Sequence, residues 1–196
     1  SKTEPSPTLC EETLDVLVPL ANRLGLWQLK WELEDLAFRF MAGDTYRSLA
    51  RQLEEKRRER EEFVASVTAM LRELLSSAGV RAEVSGRPKH IYSIWNKMRS
   101  KRLALDDIRD LRGLRVIVDD VRECYSALAL IHSRWTPLHE EFDDYIARPK
   151  PNGYQSLHTV VMADDGRPLE VQIRTREMHQ FAEYGVASHW RYKERS

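Results

Sequence analysis

The chain has 196 residues, of which 31 are Lys or Arg and 31 are Asp or Glu, so its formal net charge is zero. A hydrophobic content of 42% at this length is enough for a folded core and excludes wholesale disorder. The neutral total excludes a uniformly basic coat for nucleic acid, although it says nothing about how charge is distributed along the chain.

Composition also limits the compartment and the class of protein. Two cysteines, Cys10 and Cys124, lie far apart without metal-ligand spacing, which excludes a disulfide scaffold and indicates a reducing, cytoplasmic compartment. We expect both to be ordinary, partly buried thiols. No apolar run approaches the roughly 20 residues that span a bilayer, and the polar residues 1–8 show no signal-peptide pattern. They are typical of a linker end, so we expect a fragment of a longer protein.

The first part of the chain predicts helices. Residues 9–43 form one helical stretch, with Pro19 and Gly25 as breaks. Leucines recur there at near-helical spacing, at positions 14, 17, 20, 24, 26, 29, 33 and 36.

A long helix is predicted next, over residues 45–77. Asp44 is its expected N-cap, and Gly79 is the expected residue just past its end. Opposite charges at helical spacing, as in Glu54 and Arg58, indicate an exposed face.

Shorter elements follow Gly79 and predict an α+β fold, with a mixed or antiparallel sheet covered by helices. Residues 137–153 are expected to form a loop. Asp164-Asp165-Gly166-Arg167 predicts the turn of a hairpin between the last two strands. The predicted strands are 80–85, 114–118, 157–162 and 169–174, and the predicted helices are 90–100, 121–132 and 175–184.

Charge is segregated along the second half. Residues 79–118 hold ten basic and four acidic side chains, a net charge of +6, and residues 119–147 hold two basic and seven acidic ones, a net charge of −5. The basic block suits phosphate groups. For any single Lys or Arg, a solvated surface charge is the alternative interpretation.

Lys89, Ser93 and Lys97 are spaced i, i+4 and i+8, so on a helix they would share one face and could clamp a polyphosphate. Arg87 lies just before that helix, next to Pro88. The stripe alone is a weak signal, because many solvated helix faces carry such residues.

The strand at 169–174 alternates between an apolar face and a face that carries Glu170, Gln172 and Arg174. If the polar face lines a cleft, Glu170 is a candidate general base or metal ligand; if it faces water, this is an ordinary half-exposed strand. Asp110 lies just ahead of the strand at 114–118, on which Arg115 alternates with apolar residues. Asp110 and Glu170 could therefore meet across adjacent strands and share one Mg²⁺.

Residues 149–158 predict a rigid turn that leads into a strand. Tyr154 could stack on a base, while Lys150 and His158 could reach phosphates. A plain turn with a packed aromatic ring is the alternative. The sequence lacks a phosphate-binding P-loop, a G-x-G-x-x-G fingerprint, a His-Asp dyad, zinc-ligand spacing and a G-x-S-x-G elbow.

Four segments, in order along the chain, closely resemble the RelA/SpoT family of long alarmone synthetases. They are GRPKHIYSI at 86–94, DLRGLR at 110–115, RPKPNGYQSLH at 148–158 and EVQIRT at 170–175. The resemblance implies a nucleotidyltransferase-like mixed sheet flanked by helices. It also implies transfer of a pyrophosphoryl group from ATP to the 3′-OH of GTP or GDP, with release of AMP.

The resemblance also implies roles for individual residues. Asp110 and Glu170 would bind Mg²⁺, and Glu170 would activate the 3′-OH. On the ATP side, Arg87 and Arg115 would sandwich the adenine, and Lys89, Ser93 and Lys97 would hold the phosphates. On the GTP side, Tyr154 would stack on guanine, and the further contacts would be Lys150, Asn152, His158, Gln172 and His179.

The resemblance divides the chain into residues 1–43, a helical linker from a preceding hydrolase-like domain, and residues 44–196, the synthetase domain. No hydrolase metal site is expected, and ribosome and tRNA would be met only through regulatory domains that this chain lacks. The acidic stretch at 141–144 resembles that of synthetase-only members, with a solvated loop as the alternative. The sequence leaves open the oligomeric state and two other functions: a catalytically silent nucleotide-sensing or RNA-binding module, and a nucleotidyltransferase that releases pyrophosphate.

Overall fold

The computed structural model describes residues 6–55, 57–87, 89–108 and 111–185. Asp110, a predicted metal ligand, lies outside the described residues, as does Pro88. The helices are α1 (Pro7–Glu12), α2 (Val18–Arg23), α3 (Trp27–Met41), α4 (Gly43–Glu55), α5 (Arg57–Ser77), α6 (Ile91–Lys101), α7 (Val121–Arg134) and α8 (Arg176–Tyr184), with a π-helical turn at Thr13–Leu17 and 3₁₀ turns at Leu105–Asp107 and His139–Glu141.

The strands form one mixed sheet in the described part of the chain. They are β1 (Ala82–Gly86), β2 (Gly113–Val118), β3 (Thr136–Pro137), β4 (Asp143–Asp144), β5 (Leu157–Met162) and β6 (Pro168–Thr175). Their spatial order is β1-β2-β6-β5-β3, and β4 also pairs with β5. The β2–β6 pair is parallel and the other pairs are antiparallel.

The predicted α+β architecture is confirmed, and the core lies on one face of the sheet. Helices α5 and α7 cover that face. The residues of β6 that point into it, Leu169, Val171 and Ile173, are fully buried. Each such side chain contributes about 1.5–3 kcal/mol through burial. The predicted hairpin is present between β5 and β6, and Gly166 in its turn has a φ of +71°.

The N-terminal helices differ from the prediction in two places. Pro19 does not break the helical path, because it lies in the first turn of α2, where its missing N–H is tolerated, and a π-helical turn precedes it. Helix α4 begins at Gly43, so Asp44 is in its first turn and is not an N-cap. The stretch predicted as one long helix is helical on both sides of residue 56, as α4 and α5, and residue 56 itself lies outside the described residues.

The predicted ends of other helices are confirmed. Gly25 has a φ of +69° and follows α2, while Gly79 has a φ of +78° and follows α5, where the Val80 N–H donates to the Leu75 carbonyl. Thr175 is the N-cap of α8, and its hydroxyl accepts from the Met178 N–H.

The leucine spacing of the N-terminal segment does not mark its inward face. Leu29 and Leu36 are about half exposed, whereas Trp27 and Phe38 of α3 are buried. Both cysteines are free, as predicted, and both are buried, where partial burial was expected. Within the described ranges, no helix has both the length and the apolarity needed to cross a bilayer.

Candidate active site

The sheet register brings the predicted polar residues together on the face opposite the core. Ser85 of β1 pairs with Arg115 of β2, Arg115 pairs with Gln172 of β6, and Gln172 pairs with His158 of β5, which pairs in turn with Asp143. Cα partners on neighbouring strands project to the same side of a sheet. One row of polar side chains therefore crosses five strands.

This polar face lines a cavity of about 540 Å³ and does not form a freely exposed surface. Glu170, Gln172 and Arg174 are each less than a tenth exposed. Of the two alternatives for β6, a polar face that lines a cleft is therefore correct, and a face exposed to water is not. The cavity is lined by Asn22, Arg23, Trp27, Lys30, Trp31, Arg87, Arg115, Lys150, Pro151, Asn152, Tyr154, His158, Gln172, Arg174 and Ala182.

Glu170 is held from three sides next to this cavity. Arg87 Nη1 donates to its Oε2 at 2.7 Å, Gln172 Nε2 donates to its Oε1 at 3.4 Å, and His158 Nδ1 lies 3.9 Å from Oε1. Backbone bonds at the start of β2 fix the arrangement, since the Arg87 N–H donates to the Gly113 carbonyl and the Glu170 N–H to the Arg112 carbonyl. The carboxylate is thus oriented by strand pairing and by side-chain contacts together.

His158 is a neutral imidazole near physiological pH. Burial, reinforced by the charges of Arg87, Lys150 and Arg174, lowers its pKa to about 3. Its Nε2 is hydrogen-bonded to the Tyr154 hydroxyl at 2.8 Å. The uncharged imidazole therefore lies between the Tyr154 hydroxyl and the Glu170 carboxylate.

The predicted turn at 149–158 holds Tyr154 among other aromatic side chains. The Gly153 N–H donates to the Lys150 carbonyl at 2.8 Å, and the φ of Gly153 is +80°. The Tyr154 ring contacts Trp27 at a centroid distance of 5.2 Å and Tyr145 at 6.2 Å, both edge to face. Because Tyr154 also lines the cavity, it is available for contact with a flat ligand.

Arg115 and Arg174 share one carboxylate at the floor of the cavity. Glu183 Oε1 lies 3.4 Å from Arg115 Nη1 and 3.8 Å from Arg174 Nη2. Burial lowers the pKa of Arg174 to about 10, so its guanidinium keeps its charge at neutral pH. Nε of each arginine is buried without a hydrogen-bond partner. Two cations thus face the cavity with a single acid between them.

His179 lies behind this floor and is not one of the residues that line the cavity. Its Nδ1 is 3.0 Å from Arg174 Nη2. Burial, followed by the charges of Arg174 and Arg115, lowers the pKa of His179 to about 4. A neutral Nδ1 at this distance accepts from the guanidinium, which leaves the proton on Nε2.

A second cavity, of about 720 Å³, opens between α5 and the start of α6. Arg87 lines both cavities, and Lys89 lines the second one. Ser93 and Lys97 line neither. Helix α6 begins at Ile91, so the prediction of one helical stripe is wrong for Lys89, which lies two residues before the helix with His90 as the N-cap.

The helix start predicted as an anion site already has an anion. Asp35 of α3 accepts the Tyr92 N–H through Oδ1 at 2.7 Å, and its Oδ2 lies 3.3 Å from His90 Nδ1. A phosphate near α6 therefore depends on side chains such as Lys89, and not on the free N–H groups of the helix end.

Sequence reasoning did not assign a site role to Arg174, Glu183 or the α3 residues. The sequence does contain a pattern that could have identified Arg174, since this residue continues the polar alternation of β6. It also contains one for Trp27, Trp31 and Asp35, because their spacing of i, i+4 and i+8 places them on one face of α3. That α3 covers the polar face of the sheet is a tertiary fact without a local signal.

Comparison with known proteins identifies similar chains. A family model described as a region found in RelA / SpoT proteins matches residues 86–196. GTP pyrophosphokinases from Photobacterium angustum and Escherichia coli K12 are each 50% identical over 184 residues, which is 94% of this chain and 25% of theirs. The bifunctional (p)ppGpp synthase/hydrolase RelA of Mycobacterium tuberculosis is 49% identical over 183 residues. The chain thus spans about a quarter of the length of the curated relatives it matches.

Solved structures show the same fold. The small alarmone synthetase 1 of Bacillus subtilis bound to its product pppGpp is similar with a TM-score of 0.53 and 26% identity, over 76% of this chain and 83% of that one. A GTP pyrophosphokinase family protein from Streptococcus pneumoniae gives a TM-score of 0.56 and 28% identity, over 74% and 78%.

Proposed function

The chain belongs to the RelA/SpoT family, and on that premise we propose that it transfers the pyrophosphoryl group of ATP to the ribose 3′-OH of GTP or GDP. The products are pppGpp or ppGpp, the alarmones of the stringent response, and AMP. The observation that carries the proposal is the position of Glu170, which lies against Arg87 beside the cavity that Tyr154 lines.

The acceptor nucleotide belongs in the cavity on the polar face. Tyr154 offers a ring for the guanine, and Lys150, Asn152, His158 and Gln172 line the same space. The neutral imidazole of His158 can hydrogen-bond to a ribose or phosphate oxygen at neutral pH. We assign His179 to this side through Arg174, because its Nδ1 lies 3.0 Å from Arg174 Nη2.

We assign the adenine to Arg87 and Arg115, whose planar guanidinium groups can stack on it. Arg115 lines the polar-face cavity, so the adenine would lie where that cavity meets the second one at Arg87. Lys89 lines the second cavity next to Arg87, and we assign the phosphates to Lys89, Ser93 and Lys97. Arg87 lines both cavities, so it is the residue through which the two nucleotide sites meet.

Mg²⁺ would be held by Glu170 and Asp110, and when bound it would neutralise charge on the transferred phosphates. The donor chemistry fits, because Glu170 presents hard carboxylate oxygens beside the cavity. No group of three or more His, Cys, Asp or Glu side chains converges on a metal site within the described residues. An ion held by one or two carboxylates would complete its coordination with substrate phosphates and water.

The chemistry requires positioning and charge neutralisation more than covalent assistance. Glu170 takes the proton of the 3′-OH, and the freed oxygen attacks the β-phosphorus of ATP. The bond from that phosphorus to the α,β-bridging oxygen breaks, and AMP leaves with the bonding electrons. Lys89, Ser93 and Lys97 hold the phosphates and stabilise their negative charge, while Tyr154 fixes the guanosine so that its ribose faces Glu170.

Ribosome and tRNA would act on such an enzyme through regulatory domains outside this chain, and they are not expected to bind it directly. The division into a linker of residues 1–43 and a synthetase domain of residues 44–196 stays a prediction. The first helices nevertheless contribute five residues to the wall of the polar cavity: Asn22, Arg23, Trp27, Lys30 and Trp31.

One incubation tests the proposal. The chain, ATP, GTP and Mg²⁺ are combined, and the products are identified by mass, with AMP and pppGpp expected in equal amounts. Release of pyrophosphate in place of AMP would point to a different nucleotidyltransferase reaction. Binding of both nucleotides without turnover would point to a sensing module.

A further inference from the structure

Helix α3 presents a polar and aromatic stripe to the site, formed by Trp27, Trp31 and Asp35 at positions i, i+4 and i+8. We propose that this stripe positions both nucleotide sites, with Trp27 orienting Tyr154 on the acceptor side and Asp35 fixing the start of α6 on the donor side. The inference rests on the proposed function for the identity of the two nucleotides. It gives residues in the predicted linker a direct effect on the reaction.

Trp27 is the support of Tyr154. Its side chain is almost buried, and its ring meets the Tyr154 ring edge to face at 5.2 Å and the Phe181 ring at 6.1 Å. On the same side, Asn152 Nδ2 donates to the Asn22 carbonyl at 3.4 Å, which ties the turn that precedes Tyr154 to the end of α2. Tyr154 therefore has its orientation set by residues more than 120 positions earlier in the chain.

Two glycines anchor the start of α3 at this place. A Cβ on Gly185 would lie only 2.4 Å from the Leu24 carbonyl oxygen, and a Cβ on Gly25 would lie 3.0 Å from the Gly185 Cα. The turn between α2 and α3 thus touches the end of α8 backbone to backbone. Such an approach is possible only for residues without side chains, and it holds the start of α3 against the end of α8.

Asp35 and Trp31 act on the donor side. The N-cap His90 makes no side-chain hydrogen bond to its own helix, and Asp35 accepts the Tyr92 N–H in its place at 2.7 Å. Trp31 stacks on the His90 ring with a centroid distance of 5.1 Å. The first turn of α6, which follows Lys89 and carries Ser93, is therefore held in place by α3.

The opposite side of α3 supplies a matched control. Leu29 and Leu36 belong to the same helix but are 47% and 52% exposed. They line neither cavity. Truncating Leu29 changes α3 without touching Tyr154 or α6.

The test compares Trp27→Leu, Asp35→Ala and Leu29→Ala in the 196-residue chain. KM is measured for GTP and for ATP, each with the other nucleotide saturating. Trp27→Leu keeps an apolar side chain and loses the ring, so we expect the KM for GTP to rise about 3- to 10-fold and the KM for ATP to stay unchanged. Asp35→Ala should show the opposite pattern, with a rise of similar size for ATP alone. Leu29→Ala should change neither.

Conservative variants separate positioning from loss of folding. Trp27→Phe keeps an aromatic edge, so its KM for GTP should be close to the wild-type value. Asp35→Asn keeps an acceptor for the Tyr92 N–H, so its KM for ATP should be close to the wild-type value. Equal changes of both constants in Trp27→Leu and Asp35→Ala would overturn the inference, as would unchanged constants in both.

Equilibrium binding, which needs no turnover, should show the same pattern. The Kd for GTP should rise in Trp27→Leu alone, and the Kd for α,β-methylene-ATP should rise in Asp35→Ala alone. Absence of AMP formation by the wild-type chain would overturn the proposed function. The two Kd values would still decide whether α3 positions the two sites.

Discussion

The Arg87 guanidinium donates a 2.7 Å hydrogen bond to Oε2 of Glu170, and both side chains are less than a fifth exposed. The candidate base and a candidate ATP-binding residue therefore neutralise each other in this structure. An arrangement of this kind ties the position of the carboxylate to that of the guanidinium, so anything that moves the arginine also changes the surroundings of the base.

Glu170→Gln tests the role of the carboxylate. We expect the rate of AMP formation to fall by about 10²- to 10⁴-fold, because an amide of the same shape cannot take the proton of the 3′-OH. The KM for GTP should change far less than kcat, since Gln retains an oxygen for the neighbouring donors. Steady-state kinetics with labelled ATP gives both numbers.

The control for Glu170→Gln is Glu177→Gln. Glu177 is an exposed carboxylate in the first turn of α8. That variant should keep full turnover. A Glu170→Gln protein with near-normal kcat would remove Glu170 from the proposed chemistry.

The Arg87–Glu170 pair should also show a large coupling energy. Arg87→Ala leaves a largely buried carboxylate without its counterion, and we expect a loss of about 2–4 kcal/mol in the free energy of unfolding. Combining it with Glu170→Gln should recover part of that loss, with a coupling of about 1–3 kcal/mol. Urea unfolding of the four proteins measures this quantity.

The exposed pair Arg58 and Glu62 on α5 gives the comparison, since its side chains are 91% and 67% exposed. A double-mutant cycle there should yield no more than about 0.5 kcal/mol. Similar couplings in the two cycles would show that burial does not strengthen the Arg87–Glu170 interaction.

The part of the site that follows a single strand could be predicted from the sequence. Alternation along β6 placed Leu169 and Val171 in the core and Glu170 and Gln172 on the other face, and the structure confirms both. The hairpin turn was predictable as well, because Gly166 supplies the positive φ that the turn needs. In each case the signal and the structure lie within a few residues of one another.

The part of the site that depends on which elements meet could not be predicted. Leucine spacing at the N-terminus indicated an apolar stripe. The face of α3 that meets the site instead carries Trp27, Trp31 and Asp35, whose partners lie in the turn before β5 and at the start of α6. The cap of α6 shows the same limit, since it comes from Asp35, more than 50 residues away. Periodicity defines the faces of a helix and does not say which face meets the rest of the fold.

Stability should fall in mild acid through His179. Its folded pKa of about 4 lies below the ordinary value of 6.5, so the unfolded chain takes up a proton that the native chain does not. The contribution of His179 is fully present above pH 6.5 and is lost as the pH falls towards 4. The groups that face it are Arg174, Arg115 and Glu183.

We therefore expect wild-type stability to drop by about 1–2 kcal/mol more than that of His179→Gln when the pH is lowered from 7 to 5. Gln keeps an oxygen that can accept from Arg174 and cannot take up a proton. Urea unfolding at the two pH values measures the difference, with exposed His139→Gln as the control. Parallel pH profiles for wild type and His179→Gln would contradict the assignment.

Gly153 and Gly166 allow backbone strain to be separated from crowding in the turn that holds Tyr154. Both have positive φ, +80° and +71°, so alanine at either position costs about 1 kcal/mol for the backbone alone. A Cβ on Gly153 would also lie 3.0 Å from the Phe181 ring, whereas a Cβ on Gly166 meets nothing within 4 Å. Gly153→Ala should therefore lose about 1–2 kcal/mol more in the free energy of unfolding than Gly166→Ala.

Because the turn at Gly153 places Lys150 and Tyr154 beside the cavity, Gly153→Ala should also raise the KM for GTP several-fold and leave the KM for ATP unchanged. Gly166→Ala, in the distant hairpin turn, should alter neither constant. Equal stability losses in the two variants would mean that the Phe181 ring yields without cost. An unchanged KM for GTP in Gly153→Ala would mean that the turn does not set the position of Tyr154.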